Sequence, residues 1–189
     1  MSGVLVDSAR RRLTGKRADT VLRLTQATLE VLRQVGYDEI TLPTVAAQAG
    51  VARATAYTYF SSKDHLIAEA YWRRLQTDVA PTTRSKSSRR RVTLVLRHLA
   101  LIVAGEPVLA RAITLAMNSA DPDVEQLRIE ISRYIQHLIA EAVDAPDDDE
   151  TVQLLVLVYT GGMVRAGLGG VPYIEVADQL EAAARRLLP

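Results

Sequence analysis

Apolar residues recur along this chain every three or four positions, the spacing that puts side chains on one face of an α-helix. No stretch alternates in the period of two that marks a strand. The first stripe, Val21, Leu24, Ala27, Val31 and Leu32, predicts a helix over 19–35 that Gly36 closes. Thr41 then stands as an N-cap with Pro43 in the first turn, and Val45, Ala46 and Ala49 share one face of a short helix. Gly50 allows the left-handed backbone of a tight turn. After it, Val51, Ala56 and Phe60 point inward, while Arg53, Ala54, Tyr57 and Thr58 lie on the opposite face. Ser61-Ser62-Lys63-Asp64 has the S-x-x-D form of a capping box and opens a helix to about residue 79, with Leu66, Ala70 and Leu75 inside. Residues 80–91, rich in Pro, Ser, Thr and basic side chains, read as a solvated linker. Helices are expected over 92–104, 107–118, 122–143, 152–168 and 172–188. The expectation is an all-α chain of about nine helices. A basic arm over 1–16 precedes a helix-turn-helix head over 17–63. A helical body over 64–189 follows, joined to the head through 64–79.

A small aliphatic inner face backing an Arg, Thr and Tyr outer face suits the second helix of a helix-turn-helix, which enters the DNA major groove. Arg53, at its start, can pair bidentately with guanine. Tyr57, Tyr59 and Lys63 are placed to hold phosphates, which fix register without reading sequence. Thr41, Thr44, Ala54, Thr55 and Thr58 complete the expected DNA face.

The segment GVARATAYTYFSSK over 50–63 resembles the TetR family of bacterial transcriptional repressors. The glycine-valine turn, the threonine and tyrosine of the recognition helix, the aromatic pair ending in Phe60 and the serine-lysine that follows carry the likeness. Ala27, Gly36, Thr41, Val45 and Ala46 fit as well, so the close resemblance covers about 17–75. Three positions depart from it. Ala52 stands where the family usually has a capping serine, a loss typically worth about 1 kcal/mol. Ala54 and Ala56 replace the more usual glycine and leucine. The resemblance implies a homodimer joined through the last two helices, for which Val156, Met163, Ala166, Leu180, Ala184 and Leu187 are the candidates. It also implies an effector cavity among the central helices. Its candidates are His98, Ile102, Ile113, Met117, Tyr134, His137, Leu138, Tyr159 and Met163. With few inward-looking charges in the body, an apolar or amphipathic ligand fits better than a highly charged one.

Composition sharpens this picture. Hydrophobic residues make up 48% of 189, too many for a disordered chain. The absence of cysteine excludes a disulfide scaffold and a cysteine-ligated zinc finger, and is compatible with a reducing cytoplasm. No apolar run is long enough to span a bilayer. Net charge is only +1, but its distribution is uneven: 16 basic against 8 acidic residues over 1–91, and 7 against 14 over 92–189. A basic half joined to an acidic half fits a polyanion-binding module attached to one that avoids polyanions. Arg10-Arg11-Arg12, with Lys16 and Arg17, forms either a DNA-following arm or a solvated tail.

Catalytic signatures are missing. There is no P-loop, nucleophile elbow or dinucleotide fingerprint, so an enzyme and a bound cofactor are not expected. His65 with Glu69 and His137 with Glu141 read as surface i,i+4 pairs, and the histidines lack metal-ligand spacing. The acidic run over 147–150 complements the start of the following helix. The glycines at 161, 162, 167, 169 and 170 suit close approach of another helix. The leading expectation is a ligand-responsive repressor that binds a near-palindromic double-stranded DNA operator as a homodimer. Two rivals remain: a helical small-molecule-binding protein or enzyme with a vestigial head, and a DNA-binding protein without effector control.

Overall fold

The computed structural model describes residues 15–81 and 83–188, and those residues form nine α-helices and no strand. They are α1 (Lys16–Glu39), α2 (Leu42–Gln48), α3 (Arg53–Tyr59), α4 (Lys63–Thr77), α5 (Ser88–Leu101), α6 (Pro107–Met117), α7 (Pro122–Val143), α8 (Glu150–Gly167) and α9 (Tyr173–Leu187). The basic cluster Arg10-Arg11-Arg12 lies outside the described residues, while Lys16 and Arg17 form the first turn of α1.

All five residues of the first predicted stripe are buried. Gly36 breaks α1 as expected, at φ 74° and ψ −179°, and its carbonyl accepts from Ile40 N. The short turn beyond it delivers the chain to α2. Thr41 caps α2 reciprocally with Thr44: each side chain accepts from the other's backbone N–H. Gly50 takes φ 61°, and Val51 N donates to Ala46 O as the chain turns into α3.

At α4 the cap falls one residue later than the sequence suggested. Ser62 accepts from His65 N, and Asp64 accepts instead from the Tyr37 hydroxyl at 2.7 Å. Helix α4 belongs to both halves. Leu66, Ile67 and Leu75 are almost fully buried in a core continuous with α1 on one side and with α6 on the other.

The linker ends earlier than expected, at the Ser87 cap of α5, so Arg89, Arg90 and Arg91 are helical. Two of them bond to the ends of other helices. Arg91 donates to Ala142 O and Val143 O at the end of α7, and Arg89 donates to Leu188 O past the end of α9. Helix C-termini carry unsatisfied carbonyls and partial negative charge, so both guanidinium groups stabilise ends that would otherwise need water. The acidic run does what its position implied: Asp149 caps α8 through Thr151 N and Val152 N.

Glycine permits close helix packing at two positions. A methyl on Gly162 would lie 2.8 Å from Val176 Cγ1, and one on Gly167 only 1.7 Å from Thr114 Oγ1. Gly161 has nothing near it and faces outward.

Candidate functional site

The outer face of α3 forms as the spacing implied. Arg53, Ala54, Tyr57 and Thr58 are exposed, Thr55 and Tyr59 are half-buried, and Ala56 and Phe60 lie beneath them in the core. The Arg53 guanidinium stands 5.8 Å from the centre of the Tyr57 ring, one turn along the helix. That is within the range of a cation–π contact, which restrains both side chains while leaving them outward. Thr41 and Thr44 are exposed at the start of α2. Ala52 makes no side-chain cap, so the ends of α3 rely on packing and on backbone bonds, Ala56 N to Ala52 O at the start and Phe60 N to Ala56 O at the finish. Arg23 of α1 braces the turn by donating to Ala49 O.

Lys63 also makes contacts within the chain. Its ammonium donates to Tyr37 O at 2.7 Å and lies 4.2 Å from the Tyr37 ring centre. It thereby ties α4 to the end of α1. Burial and the Asp64 carboxylate push the Tyr37 phenol up to about 12, so it remains a neutral donor.

Three polar ties among the described residues join the head to α6 and α7. Glu106, just before α6, accepts from Arg33 of α1 and Arg74 of α4. Its partial burial alone would raise its pKa, but the two guanidinium groups outweigh that and hold it below the usual carboxylate range. Asp121, the N-cap of α7, accepts from Asp123 N and from the hydroxyls of Ser61 and Ser62. Burial raises its pKa too, and those hydrogen bonds overcome it, leaving the group ionised. Third, Asp38 lies 3.7 Å from Arg111 of α6. His65 corrects the surface-pair reading. It is 2% exposed, packs edge-on against Phe60, and turns Nδ1 toward Ser61 and Asp123. The end of α3 is thus bound to the start of α7. His137 does pair on the surface, with Glu141 at 3.5 Å and Asp147 at 3.4 Å.

Within the body, a cavity of about 230 Å³ opens between α4, α6, α7, α8 and α9. Of the sequence candidates it collects Ile113, Met117, Tyr159 and Met163. The others lie elsewhere. Ile102 is core, Tyr134 packs edge-on against Trp72, and Leu138 packs on the core from α7. His98 reaches Asp78 O, and His137 is exposed. Sequence reasoning missed Tyr71, Thr114, Arg128 and Tyr173, which also line the cavity. The Tyr159 hydroxyl bonds that of Tyr71, and Tyr173 bonds Thr114. Burial pushes Tyr71 up to about 12 and raises Tyr159 and Tyr173 as well, so this polar group is uncharged at neutral pH. Among the described residues, Arg128 is the only charged side chain of the lining.

The dimer candidates divide. Ala166, Leu180 and Ala184 are buried within the chain, because α9 turns its small face onto α5 and α8. Met163 lines the cavity, Val156 is half-buried, and Leu187 is exposed. The outward face of α8 is a different set: Leu154, Leu157, Val158, Val164 and Leu168, with Gly161 between them. Leu157 and Leu168 are 68% and 67% exposed, and Ile174 of α9 is 52% exposed.

Comparison with known proteins agrees with this geometry. Residues 24–70 match the model of the family described as bacterial regulatory proteins, tetR family. An HTH-type transcriptional regulator of Mycobacterium tuberculosis is 40% identical over 95% of this chain and 90% of its own length. The HTH-type transcriptional repressor KstR of Rhodococcus jostii is 26% identical, over 88% and 81% respectively. A TetR transcriptional regulator from Rhodococcus sp. RHA1 has a similar fold, with a TM-score of 0.77 at 21% identity, covering 92% of this chain and 98% of that one.

Proposed function

The chain belongs to the TetR family of transcriptional regulators, and on that premise we propose that it is a homodimeric repressor released from its operator by a small molecule held in the body cavity. The observation that carries the reading is the connection between two surfaces. The same helices that line the cavity, α4, α6 and α7, are tied to the head through Glu106, Asp121 and Arg111. A ligand that favours a different spacing of α6 and α7 therefore changes where α3 points. Such coupling is typically about 1–3 kcal/mol, and it is reciprocal, so operator DNA weakens ligand binding by the same factor. The name of the KstR relative supports repression as the direction.

Two heads are needed to read a near-palindrome, and the apolar face of α8 suits a second copy of the chain. Monomers rarely leave so continuous an apolar patch in water. The bare Gly161 backbone at its middle allows a partner helix to come close. Arg53 is assigned base reading, and Tyr57, Tyr59, Thr41 and Thr44 backbone positioning.

The test is selection of bound duplexes from random DNA, followed by fluorescence titration of the selected and a scrambled duplex. Arg53→Ala is expected to lower affinity for the selected duplex by about 1–3 kcal/mol and leave the scrambled one nearly unchanged. Failure to enrich any sequence, or equal losses on both duplexes, overturns the assignment.

A further inference from the structure

We propose that the cavity takes an amphiphile with one anionic head, its apolar chain among Ile113, Met117, Ile131 and Ile135 and its carboxylate on Arg128. This deepens the effector reading and rests on it. Apart from Arg128 the walls are apolar or neutral: the tyrosine hydroxyls offer hydrogen bonds but no charge, and no acidic side chain among the described residues lines the space. Arg128 is half-buried, and no carboxylate among the described residues forms an ion pair with it. Its one protein bond runs from Nη1 to Met117 O at 2.6 Å, which leaves the other edge of the guanidinium to a planar anion. A half-buried cation costs desolvation unless it is compensated, so an anion gains more here than at an exposed arginine.

Size limits the chain. An engineered apolar cavity of about 150 Å³ holds benzene, and at about 30 Å³ per heavy atom the present space holds roughly eight. Medium-length monocarboxylates fit, with the head at the rim. The same contact supplies a response. Arg128 closes the carboxyl end of α6 through Met117, and α6 packs against α1 of the head. An anion that draws the guanidinium away loosens that end of α6.

The experiment is calorimetric titration of the full chain with octanoate, octan-1-ol and octylamine, which share a chain and differ in head charge. Octanoate is expected to bind about tenfold more tightly than octan-1-ol, with octylamine weakest. In Arg128→Gln the octanoate advantage disappears, and in Arg128→Lys part of it remains. If Arg128→Gln does not fold, the wild-type series decides alone. Equal affinity for acid and alcohol, no binding of any of the three, or an Arg128→Gln chain that still prefers the acid overturns the proposal and leaves Arg128 as a structural cap. Operator titration with and without octanoate separates the two readings. Acid preference with unchanged DNA affinity supports the ligand assignment and overturns release. DNA binding without acid preference overturns the ligand assignment and leaves the regulator.

Discussion

Tyr57 and Tyr159 are the same side chain in opposite settings. Tyr57 is 50% exposed on a helix of seven residues, steadied by Arg53 beside it. Tyr159 is 4% exposed, with its hydroxyl bonded to Tyr71 and its phenol pushed upward by burial. The head presents its chemistry outward from residues adjacent in sequence. The body gathers its chemistry inward from five helices and a loop, between Tyr71 and Tyr173. An outward site needs only a rigid base, whereas an inward one depends on how every wall helix is placed. A molecule inside the body can therefore reach the head, because moving a wall moves what the wall is tied to.

The sharpest way to break the contrast is on the one outward face of the body. Leu157→Glu puts a charge in the middle of the α8 patch. If that patch pairs two chains, sedimentation should show a monomer, and operator affinity should fall by roughly 100-fold or more, the scale set by burying an unpaired charge. A variant that stays dimeric refutes the assignment of this face. Next in size is Lys63→Ala. Its ammonium donates to Tyr37 O, so the change should cost about 1–2 kcal/mol of stability in thermal melts. The slope of DNA affinity against salt should stay the same, whereas a phosphate contact would lower it by about one. The smallest effect comes from acid. Glu106 and Asp121 have pKa values below their ordinary ones in the folded chain, so the stability they contribute is present above the unfolded values, near 4, and is lost as pH falls through the folded ones. Melting temperature should drop on that limb, and Glu106→Gln should flatten it by about 1 kcal/mol. An acid limb unchanged by the substitution would show that the Glu106 tie does not hold head to body.

The head could be read closely from sequence because its determinants are local. A cap at Thr41, a left-handed Gly50 and side chains three and four apart on α3 each act within one turn. Both Ser61 and Ser62 donate to Asp121, far along the chain, and only the Ser62 hydroxyl also accepts from His65 N, so the register between two adjacent serines is not settled locally. Long side chains escaped for the same reason. Nothing near Arg91 announces that it will reach the end of α7. The inner and outer faces of α9 could not be told apart from spacing either. Leu180 and Ala184 form a stripe that suits a sister chain as well as it suits α5, and α5 holds it. The cavity was half legible: Ile113, Met117, Tyr159 and Met163 follow from helical phase, but a void exists only where separate helices fail to meet.

Asp121 carries a consequence of its own. One carboxylate terminates α7 and fastens both serines below the recognition helix. Sliding α7 cannot stretch these contacts one at a time, since all share a single rigid group. The junction should therefore hold firm under small displacements and then let go abruptly, which gives the chain a threshold rather than a graded dial.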